Sequence, residues 1–217
     1  MTNAARVTFT LLVAVSLLPA APAAPQVLEH RVVIITSDAA DERVTQTREA
    51  VAFWNRTLSD LELGVRLREA ELIIASQDSR ALENYARQVS QRGGRVPRGT
   101  AGPQPPSELT ELQADVVVLL SRQPLMPFAW SLPSSPGSPG YFVAIRTAEL
   151  RRPSDDKVLR NVIAHELGHT LGLTHNRATA TLMCGPCSSV AAEDNPLEWL
   201  SLTADDRARL RALHATR

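Results

Sequence analysis

One short stretch, His165-Glu166-Leu167-Gly168-His169-Thr170-Leu171-Gly172-Leu173-Thr174-His175, sets three imidazoles, a carboxylate and two glycines at spacings that suit a metal ion. Residues four apart on an α-helix lie one turn above each other, so His165 and His169 can present two ring nitrogens to one cation. A catalytic zinc site uses three protein ligands and keeps one position for water. Gly172 can take the φ > 0 backbone at which a helix stops, and the chain beyond it can return His175 as the third ligand. Glu166 stands about 100° around the helix from His165. Its carboxylate is thereby beside the metal rather than on it, placed to act as general base on a metal-activated water. A lone helical histidine is usually a satisfied core residue. Five specified positions in this order arise by chance on the order of 10⁻⁵ per chain at ordinary residue frequencies.

These residues need a long helix, a turn and a sheet to hold them. The pattern predicts a helix over Val158 to Leu171 and another over Thr203 to His214, the latter opened by a Thr203 N-cap with Asp205 and Asp206 in its first turn. Upstream, Arg31 to Thr36 is a β-branched run of strand length, and Asp41 to Asp60 carries Val44, Val51, Trp54 and Leu58 at helical spacing. Leu63 to Leu67 and Glu71 to Ala75 supply a second strand whose boundary the pattern leaves open, followed by a short helical stretch around Arg80 to Val89. Gly93 to Pro106 is rich in Gly, Pro and polar residues without a period, which predicts a surface loop. Asp115 to Ser121 reads as a strand buried on both faces, and Pro127 to Leu132 and Tyr141 to Arg146 as two more, separated by the Pro133 to Gly140 loop. With 217 residues, no internal repeat and no dividing linker, one catalytic domain over residues 24–217 is expected.

On the HExxHxxGxxH residues just quoted, the sequence resembles the metzincin clan of zinc peptidases, and the wording from Leu167 to His175 is most similar to the matrixin branch. The resemblance implies an α+β catalytic domain of three-layer α/β/α type. Its sheet would be mixed and mostly parallel, with an active-site helix, a C-terminal helix packed behind and an edge strand, here Pro127 to Leu132, bordering the substrate cleft. It also implies a methionine in a tight turn beneath the metal, which Met183 fits as structural support. The implied activity is endopeptidase hydrolysis of peptide or protein substrates with one catalytic zinc ion, calcium being unassigned. Three features depart from the usual pattern. Only a few residues separate the expected cleavage point from the first strand, so latency through a propeptide with a metal-capping cysteine is not expected. Asn176, after the third ligand, does not select a branch. No tyrosine closely follows Met183, which leaves oxyanion stabilisation mostly to zinc.

The N-terminus reads as a leader. Arg6 precedes the apolar run Val7 to Leu18, and a Pro- and Ala-rich tract to Pro25 follows, with Ala21 and Ala23 at small positions for cleavage after Ala23. The run is about 12 residues against the roughly 20 that span a bilayer, so a secreted or periplasmic protein without a permanent membrane anchor is expected. In an oxidising compartment Cys184 and Cys187 can form a disulfide. The Cys184-Gly185-Pro186-Cys187 tetrapeptide also admits a thioredoxin-type redox reading, which needs a strand leading into a helix N-terminus. Lys+Arg and Asp+Glu both number 23, and this zero net charge gives no field to draw the protein to nucleic acid or anionic lipid. A monomer is expected. His30 and His214 fall outside any pattern and read as surface or core residues. A zinc-retaining binding protein without turnover is the remaining rival, and Glu166 argues against it, since a structural site has no use for that carboxylate.

Overall fold

The computed structural model describes residues 27–75, 79–92, 102–133, 137, 139–146, 153–185 and 199–215. The expected leader, residues 1–23, lies outside them, as do Cys187 and most of the expected Gly93 to Pro106 loop. The elements run β1 (Leu28–Thr36), α1 (Glu42–Asp60), β2 (Val65–Ile74), α2 (Ser79–Gln91), α3 (Ser107–Thr110), β3 (Val116–Leu120), β4 (Phe128–Ser131), β5 (Tyr141–Ile145), α4 (Pro153–Thr170) and α5 (Ala204–His214). They form one five-stranded sheet in the order β2-β1-β3-β5-β4. The β1–β2, β1–β3 and β3–β5 pairs are parallel, and β4 closes one edge antiparallel to β5. The fold is α+β, with a mixed, mostly parallel sheet between two helical layers.

Side chains alternate across a strand, and here both faces are covered. Val32, Ile34, Val116, Val118, Val143 and Ile145 pack in one cluster with Val44, Trp54 and Leu58 of α1 and Leu159, Ile163 and Leu167 of α4. The intervening Val33, Ile35, Val117, Leu119, Phe142 and Ala144 pack with Leu82, Tyr85 and Val89 of α2 and Leu109 of α3. This is why β1, β3 and β5 read as unbroken apolar runs.

Three boundaries differ from the sequence expectation. β2 is one strand, with an irregularity where Val32 pairs Glu69 and Val33 pairs Glu71, leaving Ala70 over. Its charged residues break the apolar pattern because it is an edge strand, and Glu69 is taken by Arg48 of α1 at 2.7 and 2.8 Å. The helix α4 begins at Pro153, ahead of the first apolar repeat at Val158, because proline suits a first helical position where the missing N–H costs nothing. The four-residue α3 is too short to show a period, yet it buries Leu109 fully.

The positioning of α4 depends on α1. Trp54, fully buried, donates its indole N–H to the Ala164 carbonyl at 2.8 Å, one residue before the first histidine. Phe53 stacks on Trp199 at 4.6 Å, which ties the segment leading to α5 against the same helix pair.

Candidate metal centre

The helix α4 ends as its sequence requires. Gly172 has φ +88°, with its N–H bonded to the His169 carbonyl at 3.0 Å and the Leu173 N–H bonded to the Gly168 carbonyl at 3.1 Å. This paired closure is the Schellman motif, and glycine is the residue that takes its left-handed position without strain. The chain then turns back and brings His175 over the helix. The Nε2 atoms of His165 and His175 lie 3.0 Å apart, and those of His169 and His175 3.1 Å apart. The three residues offer ligand atoms that all lie within 4.8 Å of one another.

Protonation follows from the partners. The Nδ1 of His165 lies 2.7 Å from the Leu182 carbonyl and that of His169 lies 2.9 Å from the Leu173 carbonyl. A carbonyl oxygen only accepts, so each Nδ1 carries the hydrogen and each Nε2 presents a lone pair. Burial favours the neutral rings, pushing the His165 pKa down to about 4 and that of His169 below its ordinary value. A proton on His175 could serve one of the two short contacts well, whereas a cation serves all three nitrogens. Ligand edges of about 3.3 Å follow from tetrahedral zinc with nitrogens at about 2.0–2.1 Å, close to the separations found. The donor set therefore fits zinc.

Glu166 is buried, on the side of α4 that faces β4. Burial pushes its carboxyl up to about 8, and the nearby backbone of Ala129 works in the opposite direction. A dication beside it would act with Ala129 in favouring the carboxylate. Ala129 lies on β4, the antiparallel edge expected to border the cleft, and α4, which carries Glu166, packs against that strand.

Met183 is fully buried. A Cβ placed on Gly168 would lie 2.7 Å from the Met183 sulfur and 2.9 Å from Trp54 Cζ2, so the helix can sit on this floor only with glycine there. A Cβ on Gly185 would lie 2.7–2.9 Å from three ring atoms of His175, which rests directly on that backbone. The roles of Gly168, Gly185, Trp54 and Ala129 are not visible in the motif. A glycine inside a helix was the one signal available for Gly168. His214 also has a place, its Nε2 2.9 Å from the Leu171 carbonyl, while Arg209 donates to the Gly172 carbonyl at 2.6 Å. The helix α5 thus caps the end of α4. Cys184 lies in the turn after Met183, its N–H bonded to the Thr181 carbonyl at 3.2 Å.

Comparison with known proteins agrees with this construction. The family model described as Matrixin matches residues 40–215. No curated protein matches. Among solved structures, archaemetzincin from Methanopyrus kandleri is 14% identical over 88% of this chain and 97% of its own, with a TM-score of 0.49. Metalloproteinase-II from Bacteroides fragilis is 15% identical over 90% of this chain and 55% of its own, with a TM-score of 0.47. Likeness at that level decides nothing about this chain, whereas the family match runs from α1 through α5 and includes the histidine motif. The chain belongs to the matrixin family and is a zinc metallopeptidase.

Proposed function

We propose that the protein is exported after removal of residues 1–23 and cleaves extended protein segments, with His165, His169 and His175 holding one zinc ion and Glu166 serving as general base. The observation that carries this reading is the convergence of three Nε2 atoms on and beyond a helix that also carries a buried carboxylate and packs against the sheet edge. Zinc there would supply Lewis acidity to the scissile carbonyl and lower the pKa of water to about 7. Glu166 takes the proton from the attacking water and then passes it to the leaving amine, so one carboxyl serves as base and acid.

The edge strand supports a mode of substrate binding. Phe128 pairs with Ala144, Trp130 with Phe142, and the Leu132 N–H bonds to the Gly140 carbonyl. Strand geometry turns the backbone groups of Ala129 and Ser131 the other way, toward the free side of β4. A substrate added there as a further strand would run past Glu166. Cys184 and Cys187 form a disulfide in the exported protein and stiffen the turn beneath the metal, which a thiol titration of unreduced protein with no free sulfhydryl would support.

The test is digestion of casein or a peptide library by mature protein, zinc-replete and chelator-treated, with N-terminal sequencing of exported material. Cleavage that requires zinc, from a protein beginning at Ala24, is expected. Unchanged cleavage by the zinc-free form would overturn the mechanism, and an intact Met1 on exported protein would overturn the leader.

A further inference from the structure

We propose that Asn176, braced by Asp206, is the positioning residue of the third histidine; this rests on the reading of His175 as a ligand. His165 and His169 stand on a helix, and each is oriented by a carbonyl on its Nδ1. His175 is exposed on a loop, and among the described residues no carbonyl or carboxylate holds its Nδ1. Metal-binding histidines usually have such an outer partner. Its neighbour supplies the constraint instead. The Asn176 N–H bonds to the Met183 carbonyl at 2.8 Å, and the Gly185 N–H bonds to the Asn176 carbonyl at 3.1 Å. These two bonds lay the chain along the methionine segment and set the His175 ring on Gly185.

The Asn176 side chain fixes that arrangement to the rest of the fold. Its Oδ1 accepts from the Ala178 N–H at 3.0 Å and the Thr181 hydroxyl at 3.1 Å, and its Nδ2 donates to Asp206 Oδ2 at 3.0 Å. Asp206 is a buried carboxylate at the start of α5, and the Thr203 N–H donates to the same oxygen at 3.0 Å. Asn176 therefore joins the His175 loop, the methionine turn and α5. Alanine has none of these groups. Serine keeps an oxygen near the Ala178 N–H but cannot reach Asp206.

The test measures release of zinc to a chelator from the full chain, with the visible spectrum of the cobalt(II) form and the melting temperature of the metal-free form alongside. Loss of an outer partner of a metal ligand typically costs about 10–100-fold in affinity. Asn176→Ala, Asn176→Ser and Asp206→Ala should each speed zinc release about tenfold or more and alter the cobalt spectrum. The Asn176→Ala/Asp206→Ala pair should be little worse than either alone. Thr203→Ala is the control, because it weakens the α5 cap through the Thr203 hydroxyl, bonded to the Asp206 N–H at 3.1 Å, without touching Asn176. It should lower the melting temperature and leave zinc release unchanged. Should Asn176→Ala fail to fold, the serine variant carries the same reading. Wild-type release rates in the folded Asn176 variants would overturn the proposal, and so would Thr203→Ala losing zinc as fast as they do. A wild-type protein that holds no zinc would instead overturn the ligand assignment, and this proposal with it.

Discussion

Two polar clusters in this molecule are built on opposite plans. At the ends of β3 and β5, Arg43 donates to the Ser121 carbonyl at 2.7 Å and to the Ile145 and Leu120 carbonyls at 3.3 Å each. Its remaining donors meet the two Asp41 oxygens at 2.9 and 2.6 Å. Beside it, Glu83 accepts from the Ser121 hydroxyl at 2.6 Å, the Arg122 N–H at 2.9 Å and Gln123 Nε2 at 2.7 Å. Donors and acceptors there match, so the cluster is closed. At the histidines three ring nitrogens converge from a helix and a loop, a set that one cation would serve together. Open, mostly parallel sheets commonly bind ligands beyond the carboxyl ends of their strands. Here Arg43 and Asp41 occupy that place, and the proposed metal site sits at the end of α4.

The largest effect should come from Glu166→Gln. The amide cannot take a proton from water, and loss of a general acid–base group typically costs about 10² to 10⁴ in rate; the proposed double role of this carboxyl, base and then acid, puts the expected loss toward the upper end. Metal analysis of that variant should still find zinc, since the histidines hold it. Arg43→Met attacks the other cluster. It removes the cation that faces Asp41 and a donor from each of three carbonyls, and denaturant unfolding should show a loss of about 3–5 kcal/mol with zinc content per folded molecule unchanged. A variant that lost both stability and zinc in step would show that the two clusters are not separate.

How much of this was legible in the sequence differs between the clusters. The histidine site was nearly all readable, because helix geometry alone relates His165 to His169 and a glycine-permitted turn returns His175. The sheet strands were readable for a similar reason, since burial on both faces leaves an apolar run. The Arg43 cluster was invisible, because it joins residues 77 to 102 positions apart with no period to announce them. So were the Asn176–Asp206 link, 30 positions apart, and the contact of Ala129 with Glu166. The glycines at 168 and 185 serve as space for a neighbour, and space has no sequence signature.

Gly185→Ala sharpens the contrast at smaller scale. Its methyl would press on the His175 ring, and overpacking of this kind costs about 1–3 kcal/mol. Zinc affinity should fall, while the stability of the metal-free protein changes less. The smallest effect concerns acid. Burial alone would raise the Asp41 carboxyl, but its bonds to Arg43 hold it below the ordinary value. A carboxyl lowered in the folded state stabilises above its unfolded pKa of about 3.9, and that contribution disappears as pH falls through the folded value. The wild-type protein should therefore lose more stability between about pH 4 and its acid unfolding than Asp41→Asn does. Equal slopes for the two proteins would remove this ion pair from the account.

The most direct test of the central claim is a zinc titration of chelator-stripped protein, followed by the rate of peptide cleavage. The account predicts no cleavage at the start and a linear rise that breaks at one zinc per chain. Cleavage by the stripped protein, or a break at any other ratio, would contradict it.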